Sequence, residues 1–161
     1  MSEAATAEAG ERGRPRRPRS LLGRALALLA RREHSRAELA RKLGPHAASA
    51  DELSVLLDDL QARRLLSDER FVEVLARSRS ERFGAARIRQ ELRARGVSDD
   101  LARTAVAELR GTELQRARDL WLRRYGQPAG SPAERARQMR FLAARGFSGD
   151  VIRKVVGGAE D

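Results

Sequence analysis

The side chains that could carry out acid–base or metal chemistry are few and poorly arranged in this sequence. His34 and His46 are the only histidines and there is no cysteine. Neither histidine has carboxylates nearby in a metal-binding pattern, and we expect both at the surface near helix ends. Asp58 and Asp59 are adjacent, so on a helix they point about 100° apart instead of converging as an acid–base pair. The sequence also lacks a glycine-rich phosphate loop. It therefore predicts a protein that is not an enzyme and that uses no cofactor or metal.

Basic side chains are the most numerous charged groups in this sequence. Its 161 residues include 33 lysines and arginines against 23 aspartates and glutamates, a formal net charge of +10. Such an excess raises the affinity for polyanions, either nucleic acid or an acidic protein groove, without implying sequence specificity. Only Lys42 and Lys154 are lysines. Because GC-rich codon usage explains that ratio equally well, arginine richness alone is not a sign of function.

The first candidate contact surface is a stripe of arginines on a helix predicted at 84–95. Arg82, Arg89 and Arg93 are spaced i, i+7 and i+11. At the helical repeat they line up on a face different from the one that carries the inward-facing apolar residues. This stripe is our first choice for contact with an anionic partner.

The alternative for this stripe is an ordinary solvated face that is partly paired with Glu81 or Glu91, and Arg87 is a further candidate to pair with Glu91. The C-terminal third supplies more candidates. Residues 111–161 hold four more basic than acidic side chains, whereas residues 20–80 hold two more. These further candidates, for which solvation is again the alternative, are Arg123, Arg124, Arg137, Arg140, Arg153 and Lys154.

Aromatic side chains make up only 4% of the sequence. Trp121 and Tyr125 fall at i, i+4, and the indole could in principle stack on an unpaired base. We favour core packing for both, because a stacking platform requires exposed rings. The same interpretation applies to the phenylalanines, which are Phe71, Phe83, Phe141 and Phe147.

The elements that must position these side chains are helices. From Leu21 onward apolar residues recur at helical spacing, and no segment alternates as a half-buried strand would. One apolar stripe consists of Leu53, Leu56, Leu57 and Leu60, and the next consists of Phe71, Val74, Leu75 and Ser78. The pattern predicts helices at about 20–32, 36–43, 50–64, 68–80, 84–95, 99–110, 112–125, 132–145 and 149–157.

Capping residues support these helix starts. Ser35 and Glu38 form a candidate capping box, in which each side chain accepts from the other residue's backbone N–H. Ser67 and Ser98 each precede two acidic residues, which the helix dipole favours in a first turn. Pro132 falls at a first helical position, where its missing N–H has no consequence.

A repeat of 50 residues relates 92–101 to 142–151. Six positions are identical, and five of them have a structural meaning: a core leucine, a helix-end arginine, a glycine expected in the left-handed conformation, a capping serine and a first-turn aspartate. The same helix–turn–helix corner is therefore built twice. A weaker third copy begins at Ser35 and has a longer connection.

We therefore predict an all-α fold of three tandem three-helix repeats, at 20–64, 68–110 and 112–157, forming an elongated, curved array. Residues 1–19 lack apolar periodicity and are predicted to form a disordered basic N-terminal tail, with a phosphate-contacting arm as the alternative. These residues also lack the apolar core of a secretory signal, and no apolar stretch is long enough to cross a bilayer. Together with the absence of cysteine, this predicts a cytoplasmic protein.

Two segments of this sequence resemble the central region of the RecX family. They are Leu65-Leu-Ser-Asp-Glu-Arg-Phe71 with the following Arg77-Ser-Arg79, and Gly84-Ala-Ala-Arg-Ile-Arg-Gln-Glu-Leu-Arg-Ala-Arg-Gly-Val97. The resemblance extends over about 20–157. The departures from it are the extended N-terminal tail and the connection at 44–49.

The resemblance implies a regulatory protein, acting as a monomer, that lies in the groove of the RecA recombinase filament on single-stranded DNA. Such binding lowers ATP hydrolysis, strand exchange and co-protease activity, and it could include contacts with DNA phosphates. The main alternative is a sequence-specific DNA-binding protein of the helix-turn-helix kind, since such proteins also use three-helix units with a glycine corner. The complete absence of asparagine, a usual reader of adenine edges, disfavours that alternative.

Overall fold

Helices account for all of the regular secondary structure in the described part of the chain. The computed structural model describes residues 17–158, and within them there is no strand. Most of the predicted tail lies outside the described residues. A 3-10 turn at Gly44–His46 occupies the longer connection of the first unit. The helices are α1 Leu21–Arg31, α2 Arg36–Leu43, α3 Ala50–Ala62, α4 Asp68–Arg79, α5 Ala85–Ala94, α6 Asp99–Arg110, α7 Glu113–Arg124, α8 Pro132–Ala144 and α9 Gly149–Gly157.

Serine hydroxyls begin most of these helices. The capping box of Ser35 and Glu38 is present in full. The hydroxyls of Ser67 and Ser98 accept from the backbone N–H groups of Arg70 and Leu101, as the sequence predicted. Each cap satisfies a backbone donor that has no partner inside the helix. Because this chemistry is local, the observed bounds lie within two residues of those predicted.

The apolar residues form three separate cores, one for each run of three helices. Leu39 and Leu60 anchor the core of α1–α3, Ile88 and Leu92 that of α4–α6, and Leu142 that of α7–α9. The prediction of an all-α fold built from three-helix units is thus confirmed. No helix in the described part of the chain is long and apolar enough to span a membrane.

The stripe predicted for α4 is wrong at two positions. Val74 is 46% exposed and Ser78 is also exposed, whereas Val72 is buried together with Phe71 and Leu75. The buried face of α4 runs through i, i+1 and i+4, because α4 packs against both α5 and α6 and not against a single neighbour.

Trp121 confirms the interpretation of the indole as a core residue. Its ring is buried, and Nε1 donates a hydrogen bond of 2.9 Å to Oε1 of Gln138, which is also buried. The polar end of the indole is thereby satisfied inside the third core. Trp121 is therefore not available to stack on a base.

His34 corrects an expectation, since the sequence placed it at the surface and the structure buries it to 1% exposure. Its Nδ1 lies 3.0 Å from the carbonyl oxygen of Arg32, and its Nε2 lies 3.1 Å from Nζ of Lys42. The reason is tertiary: α2 begins where the second unit packs onto the first. His46, by contrast, is exposed as expected.

The repeated corner has the predicted construction. Leu92 and Leu142 are both fully buried, and Gly96 and Gly146 have φ values of 79° and 82°. Only glycine adopts this left-handed conformation without steric strain, which explains its recurrence at the corner.

The corners also join the units to one another. A Cβ on Gly96 would lie 2.3 Å from Cβ of Ala37, and a Cβ on Gly146 would lie 2.5 Å from Cβ of Arg87. In both cases the corner of one unit packs against the first turn of the second helix of the preceding unit. Within residues 17–158, hydrogen bonds between units connect only units that are adjacent along the chain: the first unit with the second, and the second unit with the third.

Candidate partner-binding surface at the junction of the second and third units

A groove of about 930 Å³ lies between α5, α6 and the α8–α9 corner. Arg89 and Arg93 of α5 and Arg110 at the end of α6 line it. Its acidic lining residue, Glu113, is buried and accepts a hydrogen bond of 3.1 Å from the backbone N–H of Ala85, so this carboxylate already caps α5. The groove is therefore cationic at its rim.

Asp99 is the carboxylate that engages these arginines. Nη2 of Arg89 donates to its Oδ1 at 2.9 Å, and Nε of Arg93 lies 3.7 Å from the same atom. Nε of Arg103 lies 3.7 Å from the other oxygen. The hydrogen bond from Arg89 holds the pKa of Asp99 below its ordinary value, and the neighbouring guanidinium charges act in the same direction.

The ion pairs of the solvated-face alternative are not the ones that form. That alternative paired the stripe with Glu81 or Glu91, but the partner of Arg89 and Arg93 is Asp99. Glu91 instead binds Arg79 and Arg95. The sequence does not indicate Asp99 as their partner, because it lies in the first turn of the following helix and only the packing of α6 on α5 brings it to the arginines.

Arg82 corrects the predicted stripe. It lies in the turn before α5, which begins only at Ala85, so it does not share a helical face with Arg89 and Arg93. Its guanidinium lies 5.6 Å from the ring centre of Phe83. Arg82 therefore belongs to a second surface, distinct from the groove.

This second surface alternates arginines with aromatic rings. Phe83 has Arg87 at 4.3 Å from its ring centre in addition to Arg82. Phe141 lies between Arg145 at 3.9 Å and Arg124 at 5.9 Å. We call it the arginine–aromatic surface, and it consists of Arg82, Phe83, Arg87, Arg124, Tyr125, Phe141 and Arg145.

Backbone contacts across the unit boundary hold this surface together. Arg87 donates to the carbonyl of Ala144 at 3.1 Å, and Arg123 donates to that of Glu81 at 3.3 Å. The candidate ion pair of Arg87 with Glu91 does not form, since Glu91 pairs with Arg79 and Arg95. An open cavity of about 480 Å³ lies beside Arg123, Arg124 and Arg145.

The charges of the arginine–aromatic surface are not neutralised by the described part of the chain. None of its arginines forms an ion pair there, whereas Arg89 and Arg93 of the groove do. A guanidinium that stacks its plane on a ring keeps its N–H edges directed outward. Such edges match the oxygen atoms of a phosphate or carboxylate in a bidentate manner.

The burial of the phenylalanine rings agrees with the sequence prediction only in part. Phe71 and Phe147 are buried as expected, but Phe83 and Phe141 are half-buried and cover the core with one face only. Both of these rings precede an arginine by four residues, which is the signal that could have identified the surface. From the repeat alone, Arg145 is predicted only to be a cation at a helix end.

The remaining candidates stand apart from both concavities. Arg137 and Arg140 are exposed on α8, Lys154 is exposed on α9, and Arg153 pairs with Asp150. None of these four cations lines the groove or the 480 Å³ cavity. The structure thus brings together Arg89 with Arg93, and Arg82 with Arg123 and Arg124. Among the described residues there is no cluster of three acidic or histidine side chains that could hold a metal ion.

The fold and these surfaces define a class of protein: a tandem array of three-helix units whose concavities are lined by arginine. Models of the second and third three-helix domains of RecX match residues 67–106 and 112–156, respectively. The chain belongs to the RecX family, which confirms the resemblance found in the sequence.

Individual relatives agree with this assignment. The regulatory protein RecX of Leptothrix cholodnii is 58% identical over 137 residues, which cover 85% of this chain and 87% of that protein. The regulatory protein RecX of Ralstonia nicotianae is 49% identical and covers 91% of this chain and 92% of its own length. The crystal structure of RecX from Lactobacillus salivarius superposes with a TM-score of 0.73 at 21% identity, over 86% of this chain and 93% of that chain, and so shares the fold.

Proposed function

We propose that this protein binds the RecA filament on single-stranded DNA and lowers its ATPase, strand-exchange and co-protease activities. It acts in the cytoplasm as a monomer, by binding and without catalysis of its own or a cofactor. The observation that carries the proposal is the set of arginines at the junction of the second and third units that form no ion pair within residues 17–158. A filament on DNA offers such a surface both acidic protein and phosphate backbone.

The two arginine surfaces suit different parts of such a filament. The arginine–aromatic surface combines stacked guanidinium groups with half-buried rings, the combination that sequence-independent binding of single strands uses. The groove has small apolar side chains, Ala85, Ala86 and Ala94, between its arginines and suits a protein surface. Because both surfaces span the same pair of units, one protein can contact protein and DNA together.

The direct test is titration of the protein into a RecA ATPase assay stimulated by single-stranded DNA. We expect the rate of ATP hydrolysis to fall as the protein is added at substoichiometric to stoichiometric amounts. Unchanged hydrolysis at saturating protein would refute the proposal. Specific binding to one duplex sequence would instead support a helix-turn-helix regulator.

Paired variants locate the contact. Arg124→Gln with Arg145→Gln removes two charges from the arginine–aromatic surface, and Arg41→Gln with Arg77→Gln removes two exposed charges elsewhere. We expect the first pair to weaken inhibition by at least about tenfold, since even one hydrogen bond to a charged group contributes about 1.5 kcal/mol. The second pair should weaken it by less than about threefold. Equal weakening that vanishes at high salt would indicate diffuse electrostatic attraction.

The candidates on α8 are tested in the same assay. Arg89→Gln with Arg93→Gln is compared with Arg137→Gln and Arg140→Gln, because both pairs lie on one helix face and change the charge equally. Glutamine is preferable to glutamate at 89 and 93, since a new carboxylate would repel Asp99. We expect the α5 pair to weaken inhibition more than the α8 pair, because both α5 arginines line the groove of about 930 Å³, whereas on α8 Arg137 lines only a smaller cavity of about 260 Å³.

A further inference from the structure

We infer that the groove binds an extended acidic segment of a protein partner, and that Asp99 occupies in the free protein the position of one of the partner's carboxylates. The inference deepens the proposed function and rests on it for the identity of the partner, although not for the chemistry of the site. Binding is then an exchange, in which a carboxylate of the partner replaces Asp99 as the ion-pair partner of Arg89 and Arg93.

Charge complementarity identifies the occupant. Arg89, Arg93 and Arg110 line the groove, and Arg110 has no ion pair within residues 17–158. The carboxylate of Glu113 is held by the backbone N–H of Ala85 and does not offset them. A partner that brings carboxylates to this rim replaces water around guanidinium groups with bidentate hydrogen bonds.

The contact with Asp99 is suited to exchange. Arg89 reaches Asp99 with one Nη2 hydrogen bond, and its buried Nε has no hydrogen-bond partner in the described chain. Because this Nε is enclosed in the free protein, a carboxylate engages Nε and Nη2 together once Arg89 leaves Asp99 and turns its guanidinium edge into the groove. Asp99, once released, keeps Arg103 and remains in the first turn of α6, where the helix dipole favours negative charge.

The lining favours a peptide over nucleic acid. The lining between the arginines includes small apolar side chains, among them Ala86, Ala94 and Val151, and no aromatic ring of residues 17–158 lines the groove. Small side chains allow an extended backbone to approach closely, whereas binding of single-stranded nucleic acid relies on rings for base stacking. The rings of this junction lie instead on the arginine–aromatic surface.

The experiment compares Asp99→Asn with Asp100→Asn in the full-length protein. Both variants raise the net charge by one and remove one first-turn acid of α6. Only the first releases Arg89 and Arg93, because Asp100 pairs with Arg103 alone. The probe is a fluorescein-labelled 12-residue peptide of alternating glutamate and alanine, followed by fluorescence anisotropy.

We expect Asp99→Asn to bind the peptide about two- to fivefold more tightly than the wild type, the range set by releasing an exposed ion pair. Asp100→Asn should bind within about 1.5-fold of the wild type, and Arg110→Gln should bind more weakly than Arg77→Gln. Thermal melts by circular dichroism check that each variant is folded. The peptide with glutamine in place of glutamate should not bind.

Equal affinity of the two aspartate variants would overturn the inference, since it would reduce the effect to net charge. An equal or larger gain for a labelled single-stranded oligonucleotide would also overturn it, in favour of a phosphate site. The RecA ATPase assay separates the two proposals. Inhibition of RecA without a difference between Asp99→Asn and Asp100→Asn rejects the exchange alone, whereas selective peptide binding without inhibition of RecA rejects the proposed function alone.

Discussion

Gly84 lies directly against the backbone of Gly146: a Cβ on Gly84 would stand 2.3 Å from the carbonyl oxygen of Gly146. In addition, the N–H of Gly84 donates a hydrogen bond of 2.8 Å to the carbonyl of Arg145. This contact joins the start of α5 to the end of α8. It thereby sets the width of the groove and the spacing of the arginine–aromatic surface, since both span this boundary.

Replacement of Gly84 by alanine should therefore loosen this junction. The new methyl group overlaps backbone atoms, which cannot move aside as a flexible side chain can, and overpacking of this kind lowers the free energy of unfolding by about 1–3 kcal/mol. Gly44→Ala is the matched control, because a Cβ there meets nothing within 4 Å and its backbone is helical. Urea denaturation of both variants measures the difference, and equal stability would show that the units do not pack as described.

Leu92→Ala and Leu142→Ala should each lower the free energy of unfolding by about 2–5 kcal/mol, because both side chains are fully buried at equivalent corners. The control is Leu122→Ala, at a leucine that is 50% exposed, which should change stability by less than about 1 kcal/mol. Denaturation curves for the three variants test this. Wild-type stability for either corner variant would contradict the repeat.

Glu38 should make the stability of the protein depend on acidic pH. Its carboxylate is 3% exposed and bridges Arg32 of the first unit and Arg95 of the second. Burial opposes ionisation, but the hydrogen bonds from these arginines outweigh it and hold the pKa of Glu38 below its ordinary value of 4.5. A lowered pKa means that the stabilisation is complete above about pH 4.5 and is lost as the pH falls further.

The variant Glu38→Gln tests this contribution. It should lower the free energy of unfolding at pH 7 by about 1–3 kcal/mol and flatten its decline between pH 5 and pH 3. Glu73→Gln, at an exposed glutamate of α4, should leave both quantities near those of the wild type. A decline in Glu38→Gln as steep as that of the wild type would place the acid sensitivity elsewhere.

His34 should act in a separate, higher pH range. Burial lowers the pKa of His34 from its ordinary 6.5, and the nearby charges of Arg32 and Lys42 add to this effect against the hydrogen bond to the Arg32 carbonyl. The unfolded chain therefore takes up a proton on this ring before the folded chain does, so stability is greatest above pH 6.5 and falls as the pH drops below it.

His34→Asn keeps a donor for the Arg32 carbonyl but removes the titrating ring. We expect its free energy of unfolding to change less between pH 7.5 and pH 5.5 than that of the wild type. His46→Asn, at the exposed histidine, serves as the control and should retain the wild-type slope. Identical slopes for His34→Asn and the wild type would contradict the burial of this side chain.

The helices and the repeated corner can be predicted from the amino-acid sequence alone. Capping serines, a helix-terminating glycine such as Gly146 and leucines at helical spacing, such as Leu142, act within a few residues of one another. Their physical effects are local, so a pattern of residue types is sufficient to predict them. The family resemblance drew on the same short segments.

The contacts between charged groups depend on the tertiary structure. Arg89 donates a hydrogen bond to Asp99 on the next helix, and Arg87 donates one to the carbonyl of Ala144, 57 residues later. Arg95 donates one to Glu38 across a unit boundary. A long guanidinium side chain has many acceptors within reach on an all-helical surface, and helical spacing offers no preference among them. The packing of helices within a unit, and of one unit's corner on the preceding unit, fixes which acceptor each guanidinium contacts, because it places particular backbones in contact. The tertiary structure also buries groups such as His34, which the sequence alone would place in water.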